Sequence, residues 1–374
     1  MTTRNGGLLA ALLLVVVLPV TAGAQEWLLT TTPRGDLDHR ATRIPKPPED
    51  LFSINGAFLG TLQWVARSDT AQHPVFGASS LDLTLTVRPS DSVRIFMDLE
   101  GLVGPGPDSK LGTLSGLNNN TEDLEGKDKA VRLTKLILRT SWLEDRVLLS
   151  VGKLDPEDYF DRNAFAEDES AQFLNSALLT NPMLQAPVNG PGVALRVRWG
   201  DWRYAFGVHG QDDVDGDLSG LPFIVGEVGR RNLFALLGHY RLWARVNAVP
   251  DDRSRVTWGT GVNCDQLLTS NLGVFFRAGV SRSQGQSLTS YAWSVGLQFT
   301  PPWLGGKDAL GIGYSEQREP GGRERAVEGY YRFVIADWIS VIANVQWIPS
   351  GPNTVSGGVN RNLVVPGLRA SLQF

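Results

Sequence analysis

Along most of this chain, apolar residues fall on every second position. Leu81, Leu83, Leu85 and Val87 alternate with Asp82, Thr84, Thr86 and Arg88. After the turn Pro89-Ser90-Asp91, Val93, Ile95, Met97 and Leu99 alternate with Arg94, Phe96, Asp98 and Glu100. Val193 to Trp199 and Trp202 to Val208 form a similar pair about Gly200-Asp201, with Arg196, Arg198 and Arg203 in the opposite row. A period of two gives a strand with one oily and one wet face, because successive side chains point to opposite sides of the pleat. The last such run, Val364, Pro366, Leu368, Ala370, Leu372 and Phe374, has Arg369, Ser371 and Gln373 between its apolar members.

Gly, Pro, Asp and Asn clusters separate the runs at intervals of about twenty residues. The pattern predicts about sixteen strands, near 52–66, 79–88, 92–104, 130–142, 146–154, 192–200, 202–210, 231–239, 241–249, 254–263, 271–281, 289–300, 308–316, 325–335, 338–348 and 363–374. Sixteen is the size at which a closed sheet encloses water. A soluble sandwich also alternates, but a dry core would not accept a row of arginines without partners. Trp199, Trp202, Trp338 and Trp347 fall at strand ends, as interface aromatics do in barrels that cross membranes. The fold expected is therefore all-β, an antiparallel transmembrane barrel.

Residues 1–24 read as a secretory signal peptide: Arg4, then the apolar stretch Leu8 to Val20, then the small-residue site Ala22-Gly23-Ala24. Residues 25–50, with Pro33, Pro45, Pro47 and Pro48, read as a polar periplasmic lead-in, and 51–374 as one barrel domain. The remainder holds no apolar run long enough to cross a bilayer as a helix, which leaves a soluble exported protein or a barrel. The 41 glycines and 11 tryptophans suit turns and girdles, and a net charge of −4 gives no basic excess for nucleic acid. Cys264 has no cysteine to pair with, and His39, His73, His209 and His239 lack metal-ligand spacing, so no cofactor or metal is expected.

Strand parity puts Arg94, Asp98, Glu100, Lys135, Arg139, Arg196, Arg198, Arg241, Arg277, Glu328, Arg332, Gln346 and Arg369 on the wet side, as candidates to line a bore. Arg369, Gln346, Asn344, Glu328 and Arg332 lie on consecutive strands and can form one patch. An enzyme would need a nucleophile and base held together, and no Ser/His spacing of that kind is present. An adhesive barrel would want long external loops, and the longest here, 105–130 and 155–190, are moderate. Segment 155–190 lacks two-fold alternation. Asn163 to Leu179 can form a helix started by Asp168 or Ser170 and stopped by Asn181-Pro182, and the segment is either an external loop or folded into the pore. Phe160, Phe165 and Phe173 are candidates to pack it on the wall.

Several short motifs then fall in a familiar order. Val151-Gly152-Lys153-Leu154-Asp155 precedes Phe173-Leu174-Asn175-Ser176. Cys264-Asp265-Gln266 precedes Leu272-Gly273-Val274-Phe275-Phe276-Arg277-Ala278-Gly279. Trp293 to Gln298, Asp308 to Tyr314, Glu328 to Arg332, Val345 to Ile348 and Gly367 to Phe374 follow. Together these resemble the carbohydrate-selective porins of the OprB type over roughly residues 50–374. The resemblance implies a sixteen-stranded porin with a helical insert near 160–180 narrowing the lumen. It implies passive diffusion of mono- or disaccharides, a lipid surround, and delivery to the barrel-assembly machinery through the strand ending at Phe374. It also implies location in the outer membrane of a Gram-negative type of cell. Lys135 and Arg139 stand where family members often carry glutamates, and Asn344 where an aspartate is common. Those departures leave a general or anion-preferring porin as the alternative, with a barrel enzyme a more remote one.

Overall fold

The computed structural model describes residues 51–374 apart from 70–73, 125–128, 211–221, 235, 250–251, 286–287 and 303–306. The expected signal peptide and lead-in lie outside the described residues. Sixteen strands follow one another: β1 Phe52–Trp64, β2 Val75–Ser90, β3 Val93–Val103, β4 Lys129–Trp142, β5 Val147–Leu154, β6 Gly190–Trp199, β7 Trp202–His209 and β8 Phe223–Arg231. The second half continues as β9 Gly238–Val249, β10 Asp252–Leu267, β11 Leu272–Ser283, β12 Ser290–Phe299, β13 Ala309–Glu319, β14 Gly322–Ala336, β15 Ile339–Asn353 and β16 Gly358–Gln373. Each pairs antiparallel with its chain neighbours, and β16 returns to β1, so the sheet closes. Closure removes every sheet edge, which a membrane requires because lipid cannot satisfy backbone amides.

The seam shows how the terminal alternation is used. Phe58 lies opposite Leu372 and Thr61 opposite Arg369. Phe374 extends the ladder by a reciprocal pair of backbone bonds with Gly56, at 2.7 and 2.9 Å. Its ring lies over Gly56, where a Cβ would come within 2.3 Å of it, so only glycine admits the aromatic there.

The pleat sorts the two rows as their polarity demands. On β11, Phe275 is 2% exposed and its neighbour Phe276 40%. On β16, Arg369 is 1% exposed and Leu368 44%. Exposed Leu, Val and aromatic side chains form most of the outer surface, while charged groups such as Arg277, Glu328 and Arg369 are covered inside.

One rim, called lower here, carries short turns such as 91–92, 143–146, 200–201 and 337–338. The other, upper rim carries the connections from β3 to β4, from β5 to β6 and from β7 to β8. Short periplasmic turns and longer external loops are the usual arrangement in such barrels.

Two expectations need correction. The eighth strand, placed at 231–239, runs from Phe223 to Arg231. Its inward row includes Phe223 and Val225, both fully buried under the insert, so both faces are apolar and the two-fold pattern is lost. Leu233 and Phe234, which mimicked a strand, are exposed in the following lower connection. The insert is also not a long helix. Its regular parts are a 3-10 turn, Pro156–Asp158, and a single α-turn, Ser176–Leu179. Its backbone groups bond to wall side chains instead, which fixes irregular geometry that a helix would forbid.

Candidate functional site

The insert, residues 155–189, lies inside the barrel. Phe165, Phe173 and Leu178 pack with Phe275, Tyr330 and Ile342 of the wall. Tyr159, Phe160, Met183 and Leu184 pack with Phe96, Ala205, Phe223, Val225 and Trp243. The Phe173 ring meets Tyr330 edge-on at 5.0 Å and Phe275 at 5.7 Å. Small wall residues make room for it. A Cβ on Gly273 would strike the Phe165 ring at 2.2 Å, and one on Gly207 would strike Phe160 at 2.7 Å.

Polar tethers hold the same segment. Asp161, at φ 54, is the centre of one set. Its Oδ1 accepts from Trp243 Nε1 at 2.8 Å, and its Oδ2 lies 3.1 Å from Arg277 Nε. The Asp161 amide donates to Glu227 Oε2 at 2.8 Å, and its carbonyl accepts from Asn263 Nδ2 at 2.6 Å. One residue thus bridges β8, β9, β10 and β11. Burial raises the Asp161 carboxyl above the usual carboxylate range, and Arg277 opposes that rise. Glu167, held against Arg162, is pushed up to about 7 by burial, with Arg162 the main opposing charge.

Across the bore, Glu328 accepts from the amides of Leu174 and Asn175 at 2.8–3.0 Å, and from Asn344 Nδ2 at 3.1 Å. Arg369 donates to the carbonyls of Glu169 and Gln172 at 2.5 and 2.7 Å. Arg277 Nη1 donates to the Leu178 carbonyl at 2.7 Å. Arg245 Nε reaches the Met183 carbonyl at 3.1 Å. Lys135 pairs with Asp158 and lies 3.5 Å from Asp155.

The upper loop, described over residues 104–124, also folds inward. The Asn119 amide donates to the Leu174 carbonyl, and the Ser176 and Ala177 amides donate to Gly116 and Ser115. Gln346 Nε2 and Gln63 Nε2 both donate to the Leu117 carbonyl, at 2.8 and 3.0 Å. Glu324 accepts the Ser115 and Leu114 amides at 2.8 and 3.1 Å. Expected as an external loop, this segment forms a second layer over the insert instead.

The sequence-derived residues therefore divide. Arg277, Glu328, Gln346, Arg369 and Lys135 all face inward and engage the folded-in segments. Glu328, Asn344 and Gln346 meet as one group, with Arg369 beside them, whereas Arg332 lies toward the lower rim and donates to the Lys307 carbonyl at 3.2 Å. Arg241 pairs with Asp265 at 2.9 Å, and His239 lies 2.8 Å from the same carboxylate. On the other side, Arg94, Asp98 and Glu100 of β3 and Arg196 and Arg198 of β6 are inward and only half-buried. Arg94 stands directly opposite Arg139, and Arg198 opposite Arg203. Arg139 is held between the rings of Phe96 and Tyr159 and donates to Ser150 Oγ at 3.2 Å. Glu100 accepts two bonds from Arg132, at 2.9 and 3.0 Å. Arg198 bonds the Asp145 carbonyl in the lower turn.

Asp161, Glu227, Trp243, Arg245 and Asn263 escaped the sequence reading. The four strand residues lie on the inward parity of β8, β9 and β10, so parity alone could have found them. Asp161 lies in the irregular insert and had no such signal.

Comparisons with known proteins agree with this geometry. Residues 230–374 match the model of the family described as carbohydrate-selective porin, OprB family. A curated protein of Aquifex aeolicus (strain VF5), itself uncharacterized, is 25% identical over 213 residues, which are 56% of this chain and 62% of that relative. The barrel is similar to the high-pH structure of Pseudomonas putida OprB, with a TM-score of 0.71 and 14% identity over 86% of this chain and 94% of that one. It is also similar to Salmonella typhi OmpF in complex with daunomycin, with a TM-score of 0.56 and 8% identity over 86% of this chain and 97% of that one. Residues 230–374 thus resemble the carbohydrate-selective porins of the OprB family, and the closed sixteen-stranded barrel has the fold of the solved porins.

Proposed function

We propose that this chain is an outer-membrane porin, exported through a cleaved signal peptide, that lets mono- and disaccharides diffuse down their gradient. The observation that carries this reading is the insert 155–189, folded inside the barrel and tethered to β4, β8–β11 and β14–β16. A tethered segment reduces a wide bore to a channel of fixed width without closing it by a mobile gate. The charged wall that a solute would meet is the half-buried inward row of β3 and β6: Arg94, Asp98, Glu100 and Arg196. Guanidinium and carboxylate side chains bond hydroxyls in pairs, which suits a sugar. Passage requires weak binding, on the order of millimolar or ~4 kcal/mol, because a tightly held solute would not leave. The strand ending at Phe374 is the segment the assembly machinery would read.

Liposome swelling tests the proposal, using neutral sugars, sugar acids and amino acids of matched size. Faster entry of mono- and disaccharides is expected. Equal rates for every solute would leave a general porin. The Arg94–Arg139 and Arg198–Arg203 oppositions favour a second reading, an anion-preferring pore, in which the sugar acids enter first.

A further inference from the structure

The outer surface carries a cluster that transport through the lumen does not use. On β13 and β14 the outward row near the upper rim reads Tyr314, Glu316 and Arg318, then Arg323 and Arg325, where an apolar lipid face would be expected. Arg318 lies opposite Arg323, and Glu316 opposite Arg325. Glu316 Oε2 accepts from Arg323 Nη2 at 2.7 Å, Arg325 Nε at 3.1 Å and the Tyr314 hydroxyl at 3.2 Å. Its Oε1 accepts from the Tyr291 hydroxyl at 3.2 Å. The Glu316 side chain is 7% exposed, whereas those of both arginines are 48% exposed. The carboxylate is thus consumed in organising the cluster, and the guanidinium groups keep outward N–H donors beyond the bonds that Glu316 takes.

The height of the cluster follows from β12. That strand is ten residues long, about the span of a hydrocarbon layer for a tilted strand. Its outward Tyr291 and Trp293 therefore sit at the upper interface. Tyr291 pairs with Arg318, Trp293 pairs with Glu316, and the Trp293 and Tyr314 rings lie 4.9 Å apart. The belt continues sideways to β10 and β11, where outward Trp258 lies opposite Arg282. There a depression of about 340 Å³ is lined by Val256, Trp258, Arg282, Ser283, Gln284 and Gly285. Arg323 and Arg325 thus hold one carboxylate, with Arg318 opposite Arg323 and Arg282 further along the same rim beside Trp258, above an aromatic girdle. Like charges so close call for an anion at the place where lipid headgroups lie.

We infer that this outward face binds the phosphate groups of an acylated, phosphorylated sugar lipid of the outer leaflet, with Arg323 and Arg325 as its primary donors and Arg282 and Arg318 flanking. Guanidinium groups bond phosphate in pairs, and the rings below offer a surface for acyl chains. This inference rests on the outer-membrane placement proposed above.

The test uses the whole protein refolded in detergent, its folded state checked by heat-modifiable gel mobility. Native mass spectrometry titrates it with bis-phosphorylated lipid A, with the same lipid dephosphorylated, and with inorganic phosphate. The wild type should prefer the phosphorylated lipid by about tenfold over the dephosphorylated one and retain no inorganic phosphate. The double variant Arg323→Gln/Arg325→Gln should lose that preference. Arg230→Gln, at the lower rim where Arg230 lies over Trp202, should keep it. Equal retention of both lipids, a loss of preference shared by Arg230→Gln, or an oligomer mass that changes in the double variant without a change in lipid preference would overturn the inference. Bilayer conductance is read separately. A silent wild type would fail the porin reading whatever the lipids do.

Discussion

The two sides of the bore face the same water with the same parity and use it differently. On β11, β14 and β16, inward charges are buried and spent on the insert: Arg277 on Asp161, Glu328 on two amides, Arg369 on two carbonyls. On β3 and β6, inward charges stay half-buried, with Arg94 opposite Arg139 and Glu100 taking Arg132, while Lys135 and Arg139 of β4 between them are buried against the insert. The difference teaches that an arginine on the wet face of a barrel is not by that fact a pore-lining residue. Whether backbone folds down onto it decides its role.

The contrast can be broken most forcefully at Asp161. Asp161→Ala leaves Arg277 buried without its acid, and removing one partner of a buried pair typically costs about 3–5 kcal/mol. Thermal unfolding in detergent should show that loss, and single-channel conductance should rise as the insert loosens. Glu328→Gln should be milder, at about 1–3 kcal/mol, because the side-chain shape survives while the acceptor for two buried amides is weakened. Its conductance should change in the same direction as that of Asp161→Ala.

Glu167 offers a pH test of the same wall. With its carboxyl raised to about 7, the folded protein holds a proton that the unfolded chain has already released. Stability should therefore fall as pH rises from about 4.5 to 7, and level off above. Because the side chain remains 20% exposed, about 1–2 kcal/mol is expected rather than the full effect of the shift. Glu167→Gln should flatten the profile, as read by unfolding midpoints at pH 5 and pH 7.5. The smallest effect on stability belongs to the open wall. Arg94→Gln should alter stability by less than about 0.5 kcal/mol while shifting the reversal potential in a salt gradient toward cations.

Much of the barrel was legible because one face of each strand is lipid and the other water, so polarity maps directly onto parity. Leu368 against Arg369 and Phe276 against Arg277 needed nothing more. The eighth strand was misplaced where that contrast fails, since Phe223 and Val225 meet the insert rather than water. The insert and the loop residues 104–124 carried no such code. Their shape is set by distant side chains, Glu328 to Leu174 and Gln346 to Leu117, across separations that no local pattern reports. Arg198 illustrates a further limit. Parity gives its face, but its bond to the Asp145 carbonyl places it at the lower turn.

The most direct test of the whole arrangement uses two adjacent residues of β6. In a Cys264→Ser background, Leu195→Cys and Arg196→Cys would each be reconstituted in a planar bilayer and exposed to a charged, membrane-impermeant thiol reagent. The arrangement described here predicts a stepwise block of current at position 196 and none at 195. Block at 195 with silence at 196 would contradict it.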